Sequence, residues 1–176
     1  MRIINKMPQE ILIRFAEIRD VLVITKFNRA MALETEQKEL IPEVISKGVD
    51  KLLNNPNLGF YVVAERDNEV IGSLMVTTEW SDWRNGMFWW IQSVYIEPNE
   101  RRKGIYTELY NFIRESANNN PSICGFRLYV EKENILAQNT YEALGMMETN
   151  YRIYEELKPG TRFCMDAISK SFQNPR

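Results

Sequence analysis

The chain has 176 residues, 44% of them hydrophobic and 26% charged, which excludes a disordered chain and allows one sizeable buried core. Its formal net charge of −2 does not draw in nucleic acid, and no apolar run is long enough to span a membrane. Histidine is absent, which removes the commonest general base and zinc ligand, and two cysteines, Cys124 and Cys164, make neither a disulfide framework nor a four-ligand metal site.

Residues 11–16 read as a first strand. Asp20 is placed to cap a helix carrying Val21, Ile24, Phe27 and Met31 on one face. A polar stretch over 34–39 leads to a second helix, with Pro42 in its first turn and an apolar stripe of Ile45, Val49 and Leu52. Residues 60–64 and 70–77 flank the turn chemistry of Arg66-Asp67-Asn68-Glu69, which predicts an antiparallel hairpin. A polar, aromatic loop over 80–86 precedes a long apolar strand over 87–96. A helix then starts near Gly104, with Ile105, Leu109, Phe112 and Ile113 on one face. Residues 125–130 alternate as another strand, residues 135–144 form a helix that Gly145 ends, and residues 151–157 read as a last strand.

These elements sum to one domain over 1–176, with a core over 11–157 and a tail over 158–176. The class is mixed α/β (α+β): a central sheet of about six to seven strands with helices on both faces. Strand, helix and strand between 87 and 130 form a right-handed crossover, so that strand pair should be parallel, with ligands beyond its carboxyl ends. An exposed edge strand near the C-terminus would pair two copies as a homodimer. The residue pattern at the N-terminus shows no signal peptide, and the cysteine usage points to a reducing cytoplasm.

Arg101, Arg102, Lys103 and Gly104 place positive charge and free amides at a helix N-terminus, where a phosphorylated ligand binds. A Walker-type loop is absent, and a dinucleotide fingerprint lacks two of its three glycines. The third candidate is the pyrophosphate loop of coenzyme-A acyltransferases: Arg or Gln, two residues, Gly, one residue, then Gly or Ala. Residues 101–106 match it at every position except Tyr106. Taken alone, the Arg-Arg-Lys run fits a solvated helix start equally well.

A second segment, Asn134, Ala137, Tyr141 and Gly145 followed by Met146, lies at the matching separation. With both motifs on these elements, the chain from about 11 to 157 resembles the GNAT superfamily of N-acetyltransferases. The resemblance implies a splayed parallel strand pair that admits the pantetheine arm of acetyl-CoA. It implies main-chain hydrogen bonds to pantetheine from Val94, Tyr95 and Ile96. It implies a diphosphate cradle from the amides of Arg102, Lys103, Gly104, Ile105 and Tyr106, with the Arg101 charge nearby. Asn134 would bond the pantetheine or a water, and Ala137 belongs to the same motif. Tyr141 stands where the family places the acid that protonates the departing thiolate, and a phenol of pKa ~10 can serve a thiol of ~8.5. By helical position alone, Tyr141 reads as a core aromatic.

The activity so implied is an acetyl-CoA-dependent N-acetyltransferase, in which an amine of a small molecule or peptide attacks directly. Its partners are acetyl-CoA and the amine, with no metal, nucleic acid or membrane. A non-catalytic acyl-CoA-binding sensor or interaction module is the alternative. Direct attack needs a neutral amine, and an amine of pKa ~10.4 needs help in losing its proton. Without histidine, Glu79 is the first candidate base and Asp82 the second, while Glu97 reads as structural. Glu79 also reads as an ordinary solvated loop residue. Alternation sends Trp89 and Trp90 to opposite strand faces, one of them core. Trp80 or Trp83 either lines the acceptor pocket or packs on the hairpin surface.

Overall fold

Alternation along one central strand organises the molecule, a computed structural model that describes residues 10–165. Five strands form one mixed sheet: β1 (Leu12–Phe15), β2 (Phe60–Arg66), β3 (Glu69–Ser81), β4 (Gly86–Ile96) and β5 (Ile123–Leu128), in that order. In β2, Tyr61 and Val63 face helices α1 (Val21–Glu36) and α2 (Pro42–Leu53), packing with Ile24, Val49 and Leu52. Val62 and Ala64 face the other way, toward Leu109 and Ile113 of α3 (Ile105–Asn118). Helix α4 (Ile135–Ala143) follows β5.

The hairpin between β2 and β3 turns at Asp67 and Asn68, both with positive φ, as a type I′ turn requires. Strand β4 is antiparallel to β3 and parallel to β5, so the crossover through α3 produces the expected parallel pair. Trp89 belongs to the core on the α3 face, and Trp90 lies half-buried on the opposite face.

The register of β3 against β4 shifts between Ser73 and Met75, and Ser93 has φ +48°. This is a β-bulge, an extra residue that bends its strand. Before it, Trp89 and Ile91 face α3; after it, Val94 and Ile96 do. Pairing with β5 ends earlier, at Ile91 opposite Leu128. Beyond that point the β5-facing edge of β4 has no strand partner among the described residues, and a wedge opens.

The expected strand over 151–157 does not form, so the described sheet has five strands rather than six or seven. Its residues pair with no neighbouring strand, and without a partner an alternating pattern alone does not make a sheet. Residues 163–165 instead run antiparallel to 39–41, bridging Cys164 to Leu40. The reading of the first nine residues, and of the tail past 165, lies outside the described residues.

Helix α3 holds the basic loop against the sheet through side chains that water does not reach. Leu109 is fully buried, and Leu109→Ala should cost about 3 kcal/mol, read as a shift of the urea midpoint with an unchanged slope.

Candidate functional site

The carboxyl ends of β4 and β5 lie at one end of the sheet, with the N-terminus of α3 beside them. Between Ile96 and α3 the chain makes a short turn over Pro98–Glu100 and then two left-handed steps, Arg102 at φ +63° and Gly104 at φ +80°. Glycine meets no steric penalty there, and a Cβ on Gly104 would find open space within 4 Å. Among the described residues, the amides of 102–107 donate to no protein acceptor. They form a row of free donors at the positive end of the α3 dipole.

The three cations of this loop divide their tasks. Arg101 donates Nε–H to the Ile96 carbonyl at 2.9 Å and pairs with Glu34 of α1 at 2.7 Å, tying the loop to β4. Lys103 pairs with Glu100, which also receives Arg66. Arg102 is exposed and pairs with no carboxylate among the described residues.

Tyr106 turns its ring inward, 6.2 Å from Tyr110 and 5.6 Å edge-on from Tyr141. Its hydroxyl is buried without a partner, and burial, with Tyr141 and Tyr110 nearby, pushes its pKa well up. The bulky side chain therefore leaves the helix N-terminus clear. Burial also raises Tyr141, so its phenol stays protonated at neutral pH. Asn134 caps α4, its side-chain oxygen accepting from the Ala137 N–H at 3.2 Å. Ile105 is core, and Tyr95 packs its ring 4.9 Å from Phe27 while its hydroxyl points to Glu34.

The other sheet face carries a cleft of about 340 Å³ walled by Thr77, Thr78, Glu79, Trp90, Gln92 and Tyr129. Glu79 receives the indole N–H of Trp90 and pairs with Arg127 at 2.7 Å. Trp90 first, then Arg127, holds its carboxyl below the usual range. Across the mouth of the wedge, the Tyr129 hydroxyl donates to Gln92 at 3.0 Å, and Gln92 donates to Thr77 at 2.5 Å.

The structure therefore brings 94–96, 101–106, 134, 137 and 141 to one end, with Glu79 on the cleft wall across the sheet. Asp82 caps the neighbouring Trp83 amide, and Glu97 pairs with Lys26. Trp80 and Trp83 are exposed, and Trp90 supplies the aromatic wall instead. Gln92, Arg127 and Tyr129 were not expected in the site. Alternation alone could have placed Gln92 beside Trp90 on the cleft face. Among the described residues, no acidic, histidine or cysteine group could hold a metal ion.

Behind the bulge lies a buried polar contact. Asn28, on α1, donates to the Tyr61 hydroxyl at 3.2 Å, and the Ser93 side chain lies against the same hydroxyl. Tyr61 and Asn28 are both almost wholly buried, so removing the phenolic oxygen leaves a donor without its acceptor. Tyr61→Phe should cost about 1–2 kcal/mol in chemical denaturation and speed hydrogen exchange at residues 92–95.

Comparisons with known proteins agree with this geometry. The Acetyltransferase (GNAT) family matches residues 22–146. A possible acetyltransferase from Clostridium difficile 630 is 49% identical, with a TM-score of 0.78 over 84% of this chain and 97% of that one. A predicted acetyltransferase from Clostridium acetobutylicum, solved with acetyl-CoA, shares the fold at 19% identity and a TM-score of 0.69, over 84% and 96% of the two chains. The ribosomal-protein-alanine N-acetyltransferase of Brucella melitensis biovar Abortus 2308 does so at 14% identity and 0.67, over 85% and 99%. A comparison with curated proteins gives no match. Family match, shared fold and the two motifs at one end of a splayed sheet lead to one conclusion: the chain belongs to the GNAT acetyltransferase family.

Proposed function

We propose that the protein is an acetyl-CoA-dependent N-acetyltransferase whose acceptor amine enters through the cleft and attacks at the wedge. The observation that carries this reading is the wedge itself: β4 leaves β5 beside a helix N-terminus with free amides. Acetyl-CoA, when bound, supplies an acetyl thioester.

The residues present fit such a donor. Amides of 102–106, the α3 dipole and the Arg102 charge suit a diphosphate. The freed edge of β4 at 94–96 suits the amide groups of a pantetheine arm, as an added strand would. Arg101 keeps this edge and the loop in register through Ile96 and Glu34. Asn134 caps α4 and so fixes where Tyr141 stands. The Tyr141 hydroxyl carries its proton at neutral pH and would be the group to supply it to a departing thiolate.

On the acceptor side, Glu79 stays ionised across neutral pH and draws in an ammonium group. It takes the amine proton through water, although a carboxylate held low is a weak base. Trp90 and Tyr129 provide apolar walls for the amine's carbon chain. A second reading, a non-catalytic acyl-CoA-binding module, draws on the same fact: Glu79 is already engaged by Trp90 and Arg127, and no histidine stands by.

Titration calorimetry with acetyl-CoA should show saturable binding, and silence at millimolar donor would end the proposal. Gly104→Asp places a side chain on a left-handed residue and a negative charge in the cradle, and should weaken binding at least about tenfold. Tyr141→Phe should lower kcat by about a hundredfold with donor affinity kept. The alkaline limb of kcat should lie above the phenol's ordinary ~10, because burial raises the Tyr141 pKa. An unchanged kcat would return Tyr141 to packing, and donor binding without turnover across an amine panel would favour the module.

A further inference from the structure

The aromatic cluster at the start of α3 holds a polar atom that packing does not explain. Tyr106 stands in the first turn of the helix and packs against the core, with Tyr110 stacked at 6.2 Å and Tyr141 of α4 edge-on at 5.6 Å. Its hydroxyl is buried and bonds to nothing among the described residues. Such a hydroxyl has lost its bonds to water and gained none, which destabilises the fold. Phenylalanine would fill the same space without that loss. The oxygen is therefore of no use to the resting fold, and its use lies in another state of the site.

That state follows from the function proposed above, on which this inference rests. Tyr141 is buried as well, and burial by itself raises its pKa by penalising the charged form. When Tyr141 supplies its proton to a departing thiolate, its O–H bond breaks and the electron pair stays on the phenol oxygen. The resulting phenolate is shut away from water and needs a donor. Burial first, then Tyr141 of α4 and Tyr110 of its own helix, make Tyr106 hard to ionise. It keeps its proton while Tyr141 is charged.

We propose that Tyr106 is a positioning residue for Tyr141, its hydroxyl donating a hydrogen bond to the Tyr141 oxygen once that oxygen has lost its proton. The rings already meet edge to face, and a small turn of either side chain brings the hydroxyls together. A hydrogen bond to a charged oxygen is roughly twice as strong as a neutral one, so a contact absent at rest forms in the charged state. The Tyr106 O–H bond stays intact throughout. Tyr141 regains its proton from water, which receives the one that the amine gives up.

Tyr106→Phe removes the oxygen and keeps both the ring and the main-chain amide. Its urea midpoint should equal or exceed that of the wild type, because a buried polar atom without a partner is gone. In chains carrying 3-fluorotyrosine, the fluorine resonance of Tyr141 is the one lost in Tyr141→Phe. That resonance should titrate about one pH unit higher in Tyr106→Phe, since the phenolate has lost its donor. Tyr110→Phe, which changes the other neighbour of Tyr106, should leave the Tyr141 midpoint in place. These readings need no acetyl-CoA. With acetyl-CoA and an amine that turns over, kcat of Tyr106→Phe should fall about tenfold with donor affinity kept. An unshifted Tyr141 midpoint, an equal shift in Tyr110→Phe, a lower urea midpoint or an undiminished kcat would each overturn this inference and leave the proposed function standing. A wild type that binds no acetyl-CoA would overturn both.

Discussion

The parting of β4 from β5 after Ile91 is the constraint from which the rest of the site follows. Strands of a parallel pair ordinarily satisfy each other's backbone groups along their length. Here one strand continues for five more residues, 92–96, while the other ends at Leu128. The Ser93 bulge bends β4 at this point and exchanges which side chains face α3. A non-glycine residue in left-handed backbone needs surroundings that hold it there. On the helix-facing side Tyr61 of β2, bonded to Asn28 of α1, sets its hydroxyl against the Ser93 side chain. A contact between a strand and a helix thus lies against the bulge beside the opening in the sheet.

Two kinds of positive potential meet at this opening, and the fold treats them differently. The free amides of α3 are a property of any helix start, whereas the guanidinium and ammonium groups depend on their neighbours. Arg101 is spent on tying the loop to Ile96 and Glu34, and Lys103 on Glu100. Arg102 alone of the three faces solvent without a carboxylate among the described residues. Tyr106, at a position where a small residue is the family pattern, sends its ring into the aromatic cluster with Tyr110 and Tyr141. The bulky residue becomes packing, at the cost of a hydroxyl buried without a partner.

On the other face, the walls of the open cleft are linked by hydrogen bonds among themselves. Trp90 and Arg127 converge on Glu79, and Tyr129, Gln92 and Thr77 form a chain across the mouth of the wedge. Such linked groups fix one another's orientation, so a ligand meets a preset surface. The same connections hold the Glu79 carboxyl below its usual range.

Periodicity and turn chemistry along the chain were enough for the helices, the hairpin at Asp67 and Asn68, the parallel crossover and the basic loop at Gly104. These depend on neighbours a few residues apart, where side-chain spacing and φ preference act directly. The two spaced motifs likewise made the family legible. The strand read over 151–157 lacks a partner to complete it, since a strand exists only as half of a pair. Where β4 leaves β5, the Ser93 bulge and the members of the cleft were decided by tertiary structure alone. Glu79 draws its partners from 11 and 48 residues away, and Arg101 its own from 67. Contacts so distant in sequence leave no local periodicity to read, because only the packed sheet brings their backbones together.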